Sequence, residues 1–338
     1  MTDTDRAVVV GITRYPGLED LDGPENDAND FAAWLQDPEG GAVPGDRITM
    51  ILSSQFPVVE SALDAQPTTE ALVRAFAGLW EEGLAASDGK LGRRLYIFMA
   101  GHGFAPDLKT AALLMANAAK SRLGLHIPGP PYADRFRQAG FFDEVVLLMD
   151  CCRDNLPQTP VHQPPFTLTT APTSSRYFYG FATTFSRRSR EEPDESGRVA
   201  GIFTRTVLAG LRGEAAQATG RITGTSLSAY AYNVRAALGG TAQARQDPEF
   251  QQSQEAEIVW VEGSAPTFTV RVSLTAANAG TRVRLLDGVL APIPPASNAS
   301  DVMEWPGLAP GLYLVEPHGG PPQQLTLIGP GRTVDVSV

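Results

Sequence analysis

The spacing of apolar positions changes along this chain, and each spacing predicts a different kind of element. Arg6 to Gly11 carries the short β-branched run Ala7-Val-Val-Val10, which predicts a first strand. Gly23-Pro-Glu-Asn-Asp27 then opens a stretch whose apolar residues Ala28, Phe31 and Leu35 recur by three and four, the spacing of a helix, with Asn26 or Asp27 placed to cap it. Arg47 to Leu52 reads as a second strand, and Pro67-Thr-Thr-Glu70 starts a second helix reaching about Leu84. A third strand ends at His102, a helix spans about Tyr132 to Ala139, and a fourth strand ends at Cys152. Strands alternating with helices predict an α/β class with a mostly parallel sheet flanked by helices.

Beyond Arg153 the pattern lapses into Pro, Thr, Gln and Ser as far as Ser175, which predicts a flexible loop. Tyr177 to Thr183 reads as a further strand, followed by a charged loop from Ser186 to Glu195. Two helices come next, one with Phe203, Val207, Leu208 and Leu211, the other capped by Ser226 and carrying Leu227, Tyr230, Val234 and Leu238. From about Pro266 to Val338 only short alternating runs remain, cut by Gly and Pro: Phe268–Val272, Thr281–Leu285, Leu312–Val315, Gln324–Leu327 and Val334–Val336. They predict a small antiparallel β-sandwich, with a domain boundary near 253–266.

Two of the apolar runs end abruptly in chemistry. Leu95-Tyr-Ile-Phe-Met-Ala-Gly-His102-Gly103 and Val145-Val-Leu-Leu-Met-Asp150-Cys151-Cys152-Arg153 each read as a fully buried parallel strand. In open parallel sheets functional groups collect past the carboxyl ends of the strands, so a histidine and a cysteine are expected side by side at one lip. A thiol must become a thiolate to attack a carbonyl, and a neighbouring imidazole is the usual device. His102 lies between Gly101 and Gly103, and glycines let backbone approach a substrate and free the Gly103 N–H to donate to an oxyanion. His126, His162 and His318 lie in Pro-rich loops or in the sandwich and read as surface residues.

Composition narrows the setting. A length of 338 residues favours two domains, and an apolar fraction of 43% supplies their cores. The formal net charge of −11 argues against nucleic acid or an anionic membrane as a partner. The 2 cysteines are adjacent, so they cannot staple distant segments, and no C-x-x-C spacing offers a metal site. A reducing, cytoplasmic location is expected. The polar start, Met1-Thr-Asp-Thr-Asp-Arg6, does not read as a signal peptide, and no apolar run is long enough to span a membrane. A nucleotide-binding domain would need a Gly-rich phosphate loop after the first strand, and none is present.

Ala100-Gly-His102-Gly followed by Asp150-Cys151-Cys152 resembles the caspase and metacaspase family of cysteine peptidases. A histidine about 50 residues before the cysteine is a known caspase signature. Further resemblances are Arg6-Ala-Val-Val-Val-Gly-Ile12, Gly23-Pro-Glu-Asn-Asp27-Ala28, Gly201-Ile-Phe-Thr204 opening a helix, and Gln246-Asp-Pro248. The caspase Gln-Ala-Cys-x-Gly is absent, as is the metacaspase His-Ser-Gly after the cysteine, here Arg153-Asp154-Asn155.

The resemblance covers residues 6 to about 250 and implies a caspase–hemoglobinase fold over residues 1–255 and a cysteine endopeptidase working through a His102–Cys152 dyad, while the alternating runs assign 266–338 to an Ig-like sandwich. Strand register points only one of the two thiols at His102. The resemblance further implies oxyanion donors at the backbone N–H groups of Gly103 and Cys152. Asp27 and Asp150, matching metacaspase acids, would form a pocket for Arg or Lys. Arg176, Arg187, Arg188 and Arg190 are candidate self-cleavage sites. No cofactor or metal is expected; calcium, dimerisation or an upstream protease are open as the switch. The expected partners are a protein substrate with a basic cleavage site, within a bacterial stress, cell-death or antiviral cascade, and an activator held by the sandwich. The alternative is an inactive caspase-fold scaffold that only binds partners.

Overall fold

A computed structural model describes residues 5–338 except 109, 157–158, 169–174, 195, 218–219, 239–245, 255, 263–266, 276–279, 288–289, 296, 300–301, 310 and 328–331, and except the side chains of 234–238, 297–299 and 311. The chain forms two compact units. Met1–Leu208 and Ser228–Ile258 make the first; Ala209–Leu227 and Val259–Val338 make the second. Part of the expected boundary, 263–266, lies outside the described residues, as do the side chains of Val234 and Leu238.

The first unit is built on β1 (Arg6–Gly11), β2 (Ile48–Leu52), β3 (Gly92–Ala100), β7 (Phe142–Asp150) and β9 (Arg176–Phe181). With an edge strand, Glu249–Gln252, they form a six-stranded sheet in the order edge–β9–β7–β3–β1–β2. All pairs are parallel except the edge strand on β9. Strand alternation sorts the side chains onto two faces. Leu95, Ile97 and Met99 of β3, with Val145, Leu147 and Met149 of β7, face α2 (Thr69–Ala85) and α3 (Gly129–Ala139) in one core with Phe76, Trp80 and Phe136. Tyr96 and Phe98 face the other way, against Phe31 and Trp34 of α1 (Pro24–Gln36).

α1 starts on Gly23 with Pro24 in its first turn and no side-chain cap, so neither Asn26 nor Asp27 caps it. β3 and β7 end at Ala100 and Asp150, two residues before His102 and Cys152. The chain then enters a second, small sheet of β4 (Gly103–Ala105), β5 (Ala112–Leu114), β6 (His126–Pro128) and β8 (Asp154–Asn155), ordered β6–β5–β4–β8. The loop after β8 is not free along its length: Phe166 is buried in the main core, stacked on Trp80 at 5.0 Å. β10 (Glu191–Pro193), within the stretch expected to be a charged loop, forms a hairpin with β11 (Val199–Gly201) beyond it, and α4 (Ile202–Ala209) follows.

The second unit contains two four-stranded sheets. One holds Phe268–Ser273 between Val302–Leu308 and Thr333–Ser337, with Ser297–Ala299 at its edge. The other holds Val283–Leu286 and Gly311–Pro317, flanked by Pro292–Ile293 and Gln323–Leu327. Val270, Val272 and Trp305 meet Leu285, Val315 and Leu327 in one core. The sandwich is therefore real but not wholly antiparallel, because Phe268–Ser273 runs parallel to Thr333–Ser337. No helix among the described residues is long and apolar enough to cross a membrane.

Candidate active site

The alternation that builds the sheet also sorts the three residues after Met149. Cys151 continues the face of Leu147 and Met149 and is buried in their core, where a Cβ on Gly103 would come within 2.6 Å of its Sγ. Asp150 and Cys152 turn to the opposite face, the one α1 covers. Asp27 projects from α1 into the same region. One cleft is thus lined by His102, Cys152, Asp27, Asp150, Gly101, Leu21, Pro24, Ser189, Arg190, Glu191 and Gly201. Among the described residues no group of three His, Cys, Asp or Glu side chains could hold a metal ion.

His102 and Cys152 are bracketed by matching pairs. Ala100 pairs with Asp150 in the central sheet and Phe104 with Asp154 in the small one, so both strand pairs carry one register past the site. The His102 Nε2 lies 2.7 Å from the Glu19 carbonyl oxygen. A carbonyl can only accept, so that nitrogen carries the proton and Nδ1 is left as the basic one. The Cys152 thiol donates to the Ser189 carbonyl at 3.9 Å. Burial pushes this thiol up to about 11, against the smaller opposing effect of that hydrogen bond. It is neutral near pH 7 and needs a base. Burial also drives the Cys151 thiol up.

Asp27 and Asp150 are both buried. Both oxygens of Asp27 accept from the Gly201 N–H, at 2.8 and 3.1 Å. Asp150 accepts the Ser189 hydroxyl at 2.6 Å, and the Thr204 hydroxyl and N–H at 2.7 and 3.1 Å. Burial raises both carboxyl groups, and the charge of Asp150 raises Asp27 further. A positive charge brought beside this acid pair would draw both groups back toward their ionised forms.

The four arginines are not placed as free loop tips. Arg176 opens β9 opposite Glu144, and its guanidinium pairs with that buried carboxylate at 2.5 Å. Arg187 is held by its carbonyl, which accepts from Arg153 N at 2.9 Å, and Ser186 N donates to Arg153 O at 2.8 Å. Arg190 N donates to the Gln246 side chain at 2.9 Å, and Arg188 reaches Asp154 at 3.3 Å. Of this stretch Ser189 and Arg190 line the cleft, although the side chains of Arg187, Arg188 and Arg190 are exposed. Arg153 itself is buried, donating to the Leu108 and Thr183 carbonyls at 2.7 and 3.2 Å and to Glu249 at 2.5 Å. Among the other histidines, His126 is a correction: it is fully buried in β6 against Phe104, while His162 is exposed. Its place in a Pro-containing loop gave no sign of the short strand that buries it.

Ser189, Thr204, Gly201 and the Glu19 carbonyl were not legible as site residues. Only Gly201 to Thr204 carried a signal, as part of the helix-opening motif.

Residues 4–259 match the family model of the caspase domain, and the chain belongs to that family of peptidases. It is similar to a probable protease from a Desulfuromonadales bacterium, 27% identical over 223 residues, which cover 61% of this chain and 26% of the relative. The chain thus spans about a quarter (26%) of that curated relative's length. The crystal structure of caspase-1 from Spodoptera frugiperda matches with a TM-score of 0.51 and 10% identity, covering 78% of this chain and 91% of the other. That likeness is one of fold.

Proposed function

We propose that the protein is a cysteine endopeptidase that cuts after Arg or Lys, with Cys152 as nucleophile and His102 as base. The observation that carries this reading is one cleft bringing together a half-buried thiol, an imidazole with its basic nitrogen free, and two buried carboxylates. His102 Nδ1 takes the Cys152 proton, and the thiolate attacks the scissile carbonyl carbon. The Gly103 and Cys152 N–H groups receive the oxyanion. Strand alternation supports this role for Gly103: its neighbours Phe104 and His102 lie in the hydrogen-bonding positions toward β5, so its own N–H turns to the side of β8. The imidazolium then protonates the leaving amine. Water, deprotonated by His102, hydrolyses the thioester and frees the carboxylate and the thiol.

The side chain before the cut lies between Asp27 and Asp150, where a guanidinium gains charge-assisted hydrogen bonds of roughly 1.5–3 kcal/mol each. An aspartate there would add a third acid to a pair that burial already keeps from ionising freely. In a cell the enzyme would cut a downstream protein in a stress, death or antiviral cascade, with the second unit recruiting substrate or activator. The test is turnover of fluorogenic peptides carrying Arg, Lys or Asp before the reporter. Arg and Lys peptides should be cut by the wild type and not by Cys152→Ala. Cleavage after Asp alone would refute the specificity.

A further inference from the structure

We infer that Tyr15 is a positioning residue for His102, acting through a hydroxyl inserted into the β4–β5 ladder. The inference rests on the reading of His102 as the base. Gly103 pairs with Leu113 and Phe104 with Ala112, so the next antiparallel pair along is His102 with Leu114. Half of that pair is made directly: Leu114 N donates to His102 O at 2.8 Å. The other half is not. His102 N donates to the Tyr15 hydroxyl at 3.1 Å, and that hydroxyl donates to Leu114 O at 3.1 Å. Tyr15 thus replaces one ladder bond by two and opens the ladder at the histidine alone. The ring also lies edge-on to the imidazole, with centroids 4.7 Å apart.

The surroundings are shaped to this insertion. Tyr15 is fully buried. Gly101 has φ +150°, and a Cβ there would strike the Tyr15 hydroxyl. The same residue begins the turn that supplies the carbonyl for the imidazole. Tyr15 N donates to Asp20 Oδ1 at 2.6 Å, and Leu18 N donates to Tyr15 O at 2.8 Å. Leu21 N donates to Thr13 O at 2.9 Å, while Gly23 N donates to Glu191 at 2.8 Å. A turn closed at these points presents the Glu19 carbonyl to His102 Nε2 and so fixes which nitrogen is basic. Tyr15 holds the histidine's backbone, its ring face and, through Asp20, the partner of its far nitrogen.

The test uses full-length protein and two readouts: kcat and KM on a fluorogenic Arg peptide, and the pH dependence of Cys152 alkylation by iodoacetamide, followed by peptide mass spectrometry. Tyr15→Phe keeps the ring and deletes the bridge. We expect kcat to fall about tenfold or more, with KM within about twofold and the melting temperature nearly unchanged. The alkylation inflection should move toward that of His102→Ala. Asp20→Ala should show the same split, and Asp20→Asn, whose Oδ1 still accepts from Tyr15 N, should restore it. If His102→Ala itself leaves the Cys152 inflection unmoved, the dyad reading fails. If His102→Ala moves it while Tyr15→Phe matches the wild type, the positioning role alone is overturned. A Tyr15→Phe loss in which kcat, KM and melting temperature worsen together would reduce Tyr15 to a packing residue and overturn it as well.

Discussion

Asp27 and Asp150 converge on Gly201 from two different elements, α1 and the end of β7. A Cβ at Gly201 would collide with Asp150 Oδ2 and lie 2.9 Å from Asp27 Oδ2. The acid pair is therefore built around the absence of a side chain at that residue. Gly201→Ala should push the carboxylates apart, raise KM for Arg peptides at least tenfold and destabilise the fold by about 1–3 kcal/mol. Denaturant unfolding beside peptide kinetics checks both effects. Unchanged KM would show that the pair does not receive the substrate.

Asp27 also makes stability depend on pH in an unusual direction. Its folded-state pKa is raised above 3.8, so the folded chain keeps a proton that the unfolded chain has released. Stability is then lost as pH rises from the ordinary carboxylate range toward the raised value. Asp27→Asn keeps an oxygen for Gly201 N–H and removes the titration. Its melting temperature should exceed that of the wild type at pH 8, with a smaller difference at pH 5, while turnover of Arg peptides falls sharply. Equal shifts at both pH values would rule out titration as the cause.

The two thiols should separate cleanly. Cys152→Ala is expected to reduce peptide turnover by roughly a thousandfold or more. Cys151→Ala removes only a buried atom beneath Gly103 and should keep turnover within a few-fold. Parallel kinetics on the two variants decide it, and the reverse ranking would move the nucleophile to Cys151.

Self-cleavage, if the enzyme attacks its own chain, should fall at Arg187, Arg188 or Arg190 and not at Arg176, whose backbone lies in the central sheet. Because Ser189 and Arg190 line the cleft, such a cut should remove activity. Intact mass and turnover followed together over time should show activity lost as those fragments appear. Fragments ending at Arg176 with activity preserved would contradict this.

Much of the site was legible because buried strands announce themselves. The Ala7–Val10 run marked β1 within its true bounds, and the runs before His102 and Cys152 marked β3 and β7. Their ends were placed two residues late, since nothing in an apolar run tells where backbone pairing moves from one sheet to another. The strands of the small sheet are three residues or fewer, too short for any periodicity to register. Asp27 looked like a helix cap because it stands near the first turn. Its true partner, Gly201, lies 174 positions away in the chain. The stretch 186–190 looked solvated because it is rich in arginine, yet it is its backbone, not its side chains, that ties it to Arg153. In the sandwich, Val302–Leu308 hid behind Pro306 and Gly307, which break the alternation a strand usually displays.

The opposed directions of Cys151 and Cys152 have a consequence for oxidative damage. Consecutive Cα atoms are 3.8 Å apart across a trans peptide, closer than the 4.4–6.8 Å that disulfides usually span, and here the two sulfurs also point to opposite faces of the strand. The adjacent thiol is thus no resolving partner. Peroxide that reaches Cys152 would leave a sulfenic acid with no neighbour to trap it, to be rescued by a small diffusible thiol or carried on to the irreversible sulfinic state.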